Sequence, residues 1–393
     1  MKLVVLLGDG MADLPIEALR GKTPLQAAKK PNMDRLAKQG RSGLAQTVPD
    51  GFPPGSDVAN LSVMGYAPSK HYTGRAPLEA AAMDVRLDTG DIAFRCNFVT
   101  IEKGIMQDYS AGHISTEEGR ELIEALVPLM PDRKIYAGVS YRNLLVLKAG
   151  AKTVCTPPHD ISDQPVAPHL PSGPDAELLI SLMEAAGPVL ANHPVNQRRI
   201  AAGKRPANAI WIWGQGPAPT MPSFAEKYML EGAMISAVDL LKGIGRYAGM
   251  EVIDVAGATG NIDTNYDGKV EAALRALERL DFVYLHVEAP DEAGHEGDTA
   301  LKVKAIELFD EKVVGPVIKG LDESGQDWRV LLLPDHATPI SIKTHSRDPV
   351  PFTIAGNGVE PDGIESFDEA AARQGGYGRV QATELVRMMK KGR

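Results

Sequence analysis

Phe282-Val283-Tyr284-Leu285-His286-Val287, running into Glu288-Ala289-Pro290-Asp291, decides how this chain is read. A short, nearly unbroken apolar run is what a strand covered on both faces looks like, and such strands belong to parallel sheets. The pattern also stands at the N-terminus, where Leu3-Val4-Val5-Leu6-Leu7 stops at Gly8-Asp9-Gly10. It returns where Val330-Leu331-Leu332-Leu333 runs into Pro334-Asp335-His336. In a parallel sheet all carboxyl ends lie on one edge, and ligands bind there. Three strands therefore deliver Asp9, Asp291 and Asp335 to one edge of one sheet.

Outward from these strands the chain alternates helix and strand. Pro31–Gly40 opens on proline and closes on glycine, as a short helix does. About Ile235–Tyr247 is expected to be helical, Glu251–Val255 a strand and Val270–Arg279 a helix. Between about residues 75 and 225 the character changes. Asp91–Ile101 and Tyr141–Leu147 alternate in polarity, Ser115-Thr116-Glu117-Glu118 reads as a capping box for a helix to about Val127, and Thr156–Pro174 is broken by prolines. The expected fold is α/β: a mostly parallel sheet flanked by helices, with an inserted α+β domain of antiparallel pairing. The expected boundaries are residues 1–72 and 228–393 for the discontinuous α/β domain and 73–227 for the insertion.

Composition narrows the function classes. The chain has 393 residues, 44% of them hydrophobic, with 42 Lys+Arg against 51 Asp+Glu and a net charge of −9. Wholesale disorder is excluded, and the acidic balance argues against nucleic acid or an anionic membrane as partner. With only Cys96 and Cys155, neither a disulfide framework nor a multi-cysteine zinc site can be built. Five apolar residues at the N-terminus are too few for an export signal, and no run is long enough to cross a bilayer, so a cytoplasmic location is expected.

Nine histidines in an acidic chain remain to be explained. Asp291-Glu292-Ala293-Gly294-His295 places an aspartate and a histidine four apart. Asp335-His336 are adjacent at another strand end, and Thr344-His345-Ser346 follows. Asp9, Asp291, Asp335, His295, His336 and His345 form a nitrogen and oxygen donor set without sulfur, suited to Mn²⁺, Zn²⁺, Co²⁺ or Fe. Six donors are too many for one catalytic ion with an open position and suit two ions about 4 Å apart. Pro54-Gly55-Ser56-Asp57 puts a serine at a helix start. Ser56 is there either an N-cap or, touching a metal, a nucleophile at an anion-binding helix end. Gly8-Asp9-Gly10 hints at a dinucleotide-binding turn, but position 13, where the third glycine belongs, is Asp13. No phosphate loop of the G-x-x-x-x-G-K-[ST] type is present.

These residues resemble the alkaline phosphatase superfamily and, within it, the archaeal-type branch of cofactor-independent phosphoglycerate mutases. The resemblance rests on Pro54–Asp57, Tyr72–Arg75, Phe94–Asn97, Asp108–Thr116, Asn192–Asn196, Gly257–Gly260, Asp263–Tyr266, Pro290–His295, Pro334–His336 and His345–Pro351. It spans essentially the whole chain. It implies an alkaline-phosphatase-like fold and two divalent ions, Mn²⁺ first, with Zn²⁺, Co²⁺ or Mg²⁺ as alternatives. One ion would take Asp9, Ser56, Asp335 and His336, and the other Asp291, His295 and His345. Ser56 would carry the phosphoryl group between 3-phosphoglycerate and 2-phosphoglycerate. His113 would handle substrate from the inserted domain. Arg75, Arg142, Arg199 and Lys242 would meet carboxylate or phosphate, as arginine forks do, and His159-Asp160 would form a pair in the cleft. The alternative keeps the site but changes the acceptor to another small alcohol such as homoserine, or makes the chain a phosphomonoesterase. The partner expected is a small phosphorylated substrate, and the oligomeric state is left open. His71, His169, His193 and His286 receive no functional role, His286 being read as a satisfied core histidine.

Overall fold

The structure is a computed structural model describing residues 1–392. Its larger sheet is built outward from the strands that the apolar runs mark. Strand β1 (Lys2–Gly8) lies between β10 (Phe282–Val287) and β11 (Trp328–Leu333), parallel to both. Gly8 stands opposite Val287 and Leu7 opposite Leu333, so the three carboxyl ends finish level. Beyond β10 come β8 (Gly232–Ile235) and β9 (Glu251–Val252), both parallel. Beyond β11 come β12 (Val350–Gly356), β2 (Gly40–Gln46) and β13 (Gly378–Gln381). In this eight-stranded sheet β12 alone is reversed, since it is antiparallel to both β11 and β2.

Helices cover the sheet because strand side chains alternate between faces. Val4, Leu6, Val283 and Leu285 pack with Met33, Leu36, Val270, Ala273, Ile306 and Phe309 in one core. Those partners come from helices Pro31–Gln39, Tyr266–Leu277 and Thr299–Phe309. Tyr284 and His286 point the other way, and the Tyr284 hydroxyl meets Asn60 on the helix Ser56–Val63.

Contacts divide the chain into two units, Met1–Tyr72 with Thr220 onward, and Thr73–Pro219. The second unit is an antiparallel sheet: β3 (Ile92–Glu102) pairs with β4 (Ile105–Asp108), β6 (Arg142–Leu147) and β7 (Ala209–Gly216), and β6 pairs with β5 (Ile135–Tyr136). Helices Thr116–Leu126 and Ala176–Ala191 share its core. The capping box forms as read, Ser115 Oγ accepting from Glu118 N–H and Glu118 Oε2 accepting from Ser115 N–H.

The details depart from expectation at several element ends: the strand expected over Glu251–Val255 stops at Val252, and the helix expected over Val270–Arg279 runs Tyr266–Leu277. The return into the first unit falls at 219/220 rather than 227/228, because Tyr66 donates to Pro222 O and Phe224 packs 4.5 Å from Phe282. Ile235 ends β8 opposite Leu285 instead of lying in a helix, which begins at Asp239.

Candidate active site

The level strand ends place every proposed ligand of the first unit at one edge. Asp9 follows β1 directly, its N–H donating to Val287 O at 2.8 Å. Gly10 adopts φ +61° and a Cβ there would stand 2.5 Å from Asp291 Oδ1, so only glycine fits. Asp291 and His295 lie in the helix Ala289–Glu296 that follows β10, one turn apart, with His295 Nε2 3.1 Å from Asp291 Oδ2. Gly294 between them serves close packing rather than a turn: a Cβ there would approach the Thr338 carbonyl to 2.7 Å.

Ser56 is not an N-cap. Gly55 takes that position, Ser56 is already the first helical residue, and its Oγ reaches His336 Nε2 at 3.1 Å. His336 Nε2 also lies 3.4 Å from Asp335 Oδ2 and 3.5 Å from Asp9 Oδ1. Two ligands bound about 2.1 Å from one tetrahedral ion are about 3.4 Å apart. His336 Nε2 therefore stands at metal-ligand spacing from Ser56 Oγ, Asp335 Oδ2 and Asp9 Oδ1. Asp9 Oδ1 is moreover buried without a hydrogen-bond partner. An orphaned carboxylate oxygen inside a protein calls for a cation.

A second cluster abuts the first. His295 Nε2 and His345 Nε2 are 3.0 Å apart, and His345 Nε2 is 3.6 Å from Asp291 Oδ1. The His336 and His345 rings have centroids 4.1 Å apart. Thr338, which carried no signal in the sequence, joins the clusters: its hydroxyl donates to Asp291 Oδ1 and stands 3.2 Å from His336 Nδ1. With the Thr338 proton on Asp291, its oxygen accepts from His336 Nδ1–H, and the lone pair of His336 Nε2 faces Asp9, Asp335 and Ser56.

The charges of the cluster are unevenly distributed. Burial, and then the charges of Asp335 and Asp291, push the Asp9 carboxyl well above the usual carboxylate range. Burial would raise Asp291 too, but hydrogen bonds from His295 and His345 hold it well below that range. Burial lowers His336 to about 4 and His286 to about 3, so both imidazoles are neutral near pH 7. Against its own burial, His295 is raised to about 9 by the Asp291 carboxylate.

His286 is the satisfied core histidine that its place in an apolar strand implies. It is fully buried, with Nε2 2.8 Å from Asp9 Oδ2. Lys242, expected to meet a substrate carboxylate or phosphate, is paired with Asp254 at 2.6 Å.

The second unit gathers its own candidates around aromatic rings. Centroid distances are 6.2 Å for His113–Tyr141, 6.0 Å for Tyr109–Tyr141, 6.1 Å for Tyr109–His159 and 5.3 Å for His159–Trp213. The Arg142 guanidinium lies over Tyr141 at 5.9 Å. Asp160 Oδ1 is 3.6 Å from His159 Nε2. His113 ends a run of three left-handed residues, Ala111, Gly112 and His113, held by Asp108, which accepts from Ser110 N–H and Gly112 N–H. Such runs are costly for residues with a Cβ.

Arg199 does not fit its expected role. It is buried, and its guanidinium is used up on Arg205 O, Glu118 and Ala111 O. The sequence missed Arg95. It is buried on β3, paired with Glu79 at 3.0 Å and stacked 4.4 Å over Trp213. Burial lowers its pKa, opposed by Glu79 and reinforced by the nearby charges of Arg75 and Arg142. The phrase Phe94-Arg95-Cys96-Asn97, a charge inside a strand, was the available signal.

Known proteins are similar to this chain along its whole length. A 2,3-bisphosphoglycerate-independent phosphoglycerate mutase of Methanothrix thermoacetophila is 64% identical over 389 residues, covering 99% of both chains. The chain belongs to the 2,3-bisphosphoglycerate-independent phosphoglycerate mutase family. The family model of that description matches residues 37–196. A probable mutase of the same kind from Geobacter sulfurreducens is 56% identical across 99% of both chains. Among solved structures, a Pyrococcus horikoshii protein aligns with TM-score 0.84 at 33% identity over 99% of this chain and 96% of its own. The cofactor-independent phosphoglycerate mutase of Thermoplasma acidophilum aligns with TM-score 0.67 at 29% identity over 100% and 99%. The mutase fold is thus the mostly parallel, helix-flanked sheet described above. No described helix is long and apolar enough to cross a membrane.

Proposed function

We propose that the chain interconverts 3-phosphoglycerate and 2-phosphoglycerate in the cytoplasm by passing the phosphoryl group through Ser56. The observation that carries this reading is the convergence of Ser56 Oγ with Asp9 Oδ1, Asp335 Oδ2 and His336 Nε2 beside Asp291, His295 and His345. Two divalent ions held by these seven residues, Mn²⁺ by preference, would supply charge neutralisation for the phosphoryl oxygens and activate the serine hydroxyl.

The chain's own groups do the rest. Ser56 stands on the first turn of its helix, the end whose dipole favours an anion, with Asp57 Oδ1 taking the Val58 N–H. Its Oγ forms a bond to phosphorus as the bond to the glycerate 3-oxygen breaks, and that oxygen takes up the proton which Ser56 gives up. Glycerate then turns, its 2-oxygen attacks the phosphoserine, and Ser56 regains a proton. In the second unit we assign recognition of the carboxylate to Arg75 and Arg142, with His113 and the His159-Asp160 pair as further polar contacts. The partner of the chain is accordingly a small phosphorylated acid.

The test is Ser56→Ala with 3-phosphoglycerate and Mn²⁺. Conversion should fall by at least about a thousandfold while Mn²⁺ binding largely persists. Wild-type turnover in the variant would overturn the serine mechanism. Phosphate release, or transfer to another small alcohol with no 2-phosphoglycerate formed by the wild-type chain, would move the assignment to those reactions.

A further inference from the structure

The two carboxylates of the Ser56 cluster are held very differently. Asp335 is fixed from three sides: Oδ1 accepts from Gly10 N–H and His336 N–H, and Oδ2 from Asn60 Nδ2. Asp9 Oδ2 has His286 Nε2 at 2.8 Å, while Oδ1 accepts no hydrogen bond. What His286 does therefore decides how Asp9 is presented.

The bonds behind His286 give it a direction. Val238 N–H donates to Ser236 Oγ at 3.0 Å, and Ser236 Oγ lies 3.1 Å from His286 Nδ1. An amide N–H can only donate, so the serine hydroxyl proton is free to point at Nδ1, and the imidazole proton then sits on Nε2 and points at Asp9 Oδ2. In this arrangement Ser236 Oγ and both ring nitrogens of His286 are used. The backbone is held as well: His286 lies opposite Leu7 in the ladder with β1, and Lys269 Nζ donates to its carbonyl at 3.0 Å. The 2.8 Å spacing from Asp9 is that of a hydrogen bond, shorter than the 3.1–3.5 Å spacing among the donors of the Ser56 cluster.

We propose that Val238, Ser236 and His286 form a positioning relay that holds Asp9 Oδ2 and so turns Asp9 Oδ1, alone, toward a divalent cation at the Ser56 cluster. His286 is then a positioning residue, acting through Asp9. The proposal rests on the two-ion reading of the site.

The experiment is Mn²⁺ titration of the full-length, EDTA-treated chain by calorimetry, alongside its thermal melting. It compares wild type with His286→Ala, His286→Gln and Ser236→Ala. Wild type should bind two ions. His286→Ala should weaken one site by about 10–100-fold, the usual effect of removing a group that orients a ligand, and leave the other nearly unchanged. His286→Gln keeps an N–H able to reach Asp9 and should recover most of the loss. Ser236→Ala leaves the imidazole in place and should weaken the same site by a smaller factor, so it decides the matter even if His286→Ala does not fold. Wild-type affinity in Ser236→Ala and His286→Ala would overturn the relay. So would a His286→Gln variant as weak as His286→Ala, which would make His286 a ligand. Equal weakening of both sites in step with a lower melting temperature would reduce it to a fold effect. A wild-type chain that takes up no Mn²⁺ would overturn the metal reading, and the relay with it.

Discussion

Lys302→Met isolates what holds two loops of the candidate site in place. Lys302 is fully buried, and its ammonium sits 2.8 Å from Asp13 Oδ2, 3.2 Å from Ala12 O and 2.8 Å from Thr338 O. Asp13 Oδ2 also accepts from Ile340 N–H at 3.2 Å. One side chain therefore ties the segment after Asp9 to the segment after His336. Methionine keeps the length and the apolar stem but removes the charge and all three donors. Breaking a buried pair by deleting one partner costs about 3–5 kcal/mol, because the remaining charge is stranded. The two carbonyls left without donors belong to the same loss, so about 4 kcal/mol is the working figure. A folded unit has roughly 5–15 kcal/mol to lose from, so the variant should still fold. At a urea slope of about 3 kcal/mol/M the midpoint should drop by about 1.3 M. Adding Asp13→Asn removes the stranded charge and should recover at least about 1 kcal/mol. The assay is urea unfolding of EDTA-treated protein followed by circular dichroism. A midpoint within about 0.3 M of wild type, or a double variant less stable than the sum of its two single changes, would refute the argument.

Gly294→Ala should cost about 1–3 kcal/mol, because its Cβ would press on the Thr338 backbone at 2.7 Å rather than on a movable side chain; an unchanged urea midpoint would contradict this. In EDTA-treated protein, stability should peak near pH 6.5. Below that, the unfolded chain takes up protons that His336 and His286, lowered by burial to about 4 and about 3, refuse until far more acidic pH, so stability falls with pH. Above it, His295, raised to about 9 by Asp291 against its own burial, loses the proton that stabilised the fold, a contribution on the order of 1 kcal/mol after solvent screening. Urea midpoints rising steadily from pH 5 to 8 would rule this out; above about pH 8, Lys269, lowered to about 8 by burial, adds stability of its own as pH rises. Arg142→Met should raise KM for 3-phosphoglycerate and leave the melting temperature in place, whereas Arg199→Met should lower the melting temperature by stripping partners from Glu118, Ala111 O and Arg205 O. Equal melting losses for both would dissolve the distinction.

The residue order by itself determined the parallel core of the sheet and the carboxylate and imidazole side chains that gather at its carboxyl edge. Runs such as Leu3–Leu7 and Phe282–Val287 can be satisfied only by burial on both faces, and a residue following such a strand must emerge at the carboxyl edge. That is why Asp9, Asp335 and His336 could be placed before any coordinates. Only the tertiary structure decided which neighbours complete the site. Thr338 bridges the two clusters and His286 holds Asp9, yet a threonine in a loop and a histidine in an apolar strand look the same whether or not a carboxylate from another strand arrives beside them. The arginines show the same limit. Arg199 is consumed by two carbonyls and a glutamate, while Arg95 stacks on Trp213 from a strand more than a hundred residues away in sequence. Local pattern fixes which face a side chain takes; its partners come from segments brought together by the sheet order, and that order is set by the packing of the whole chain.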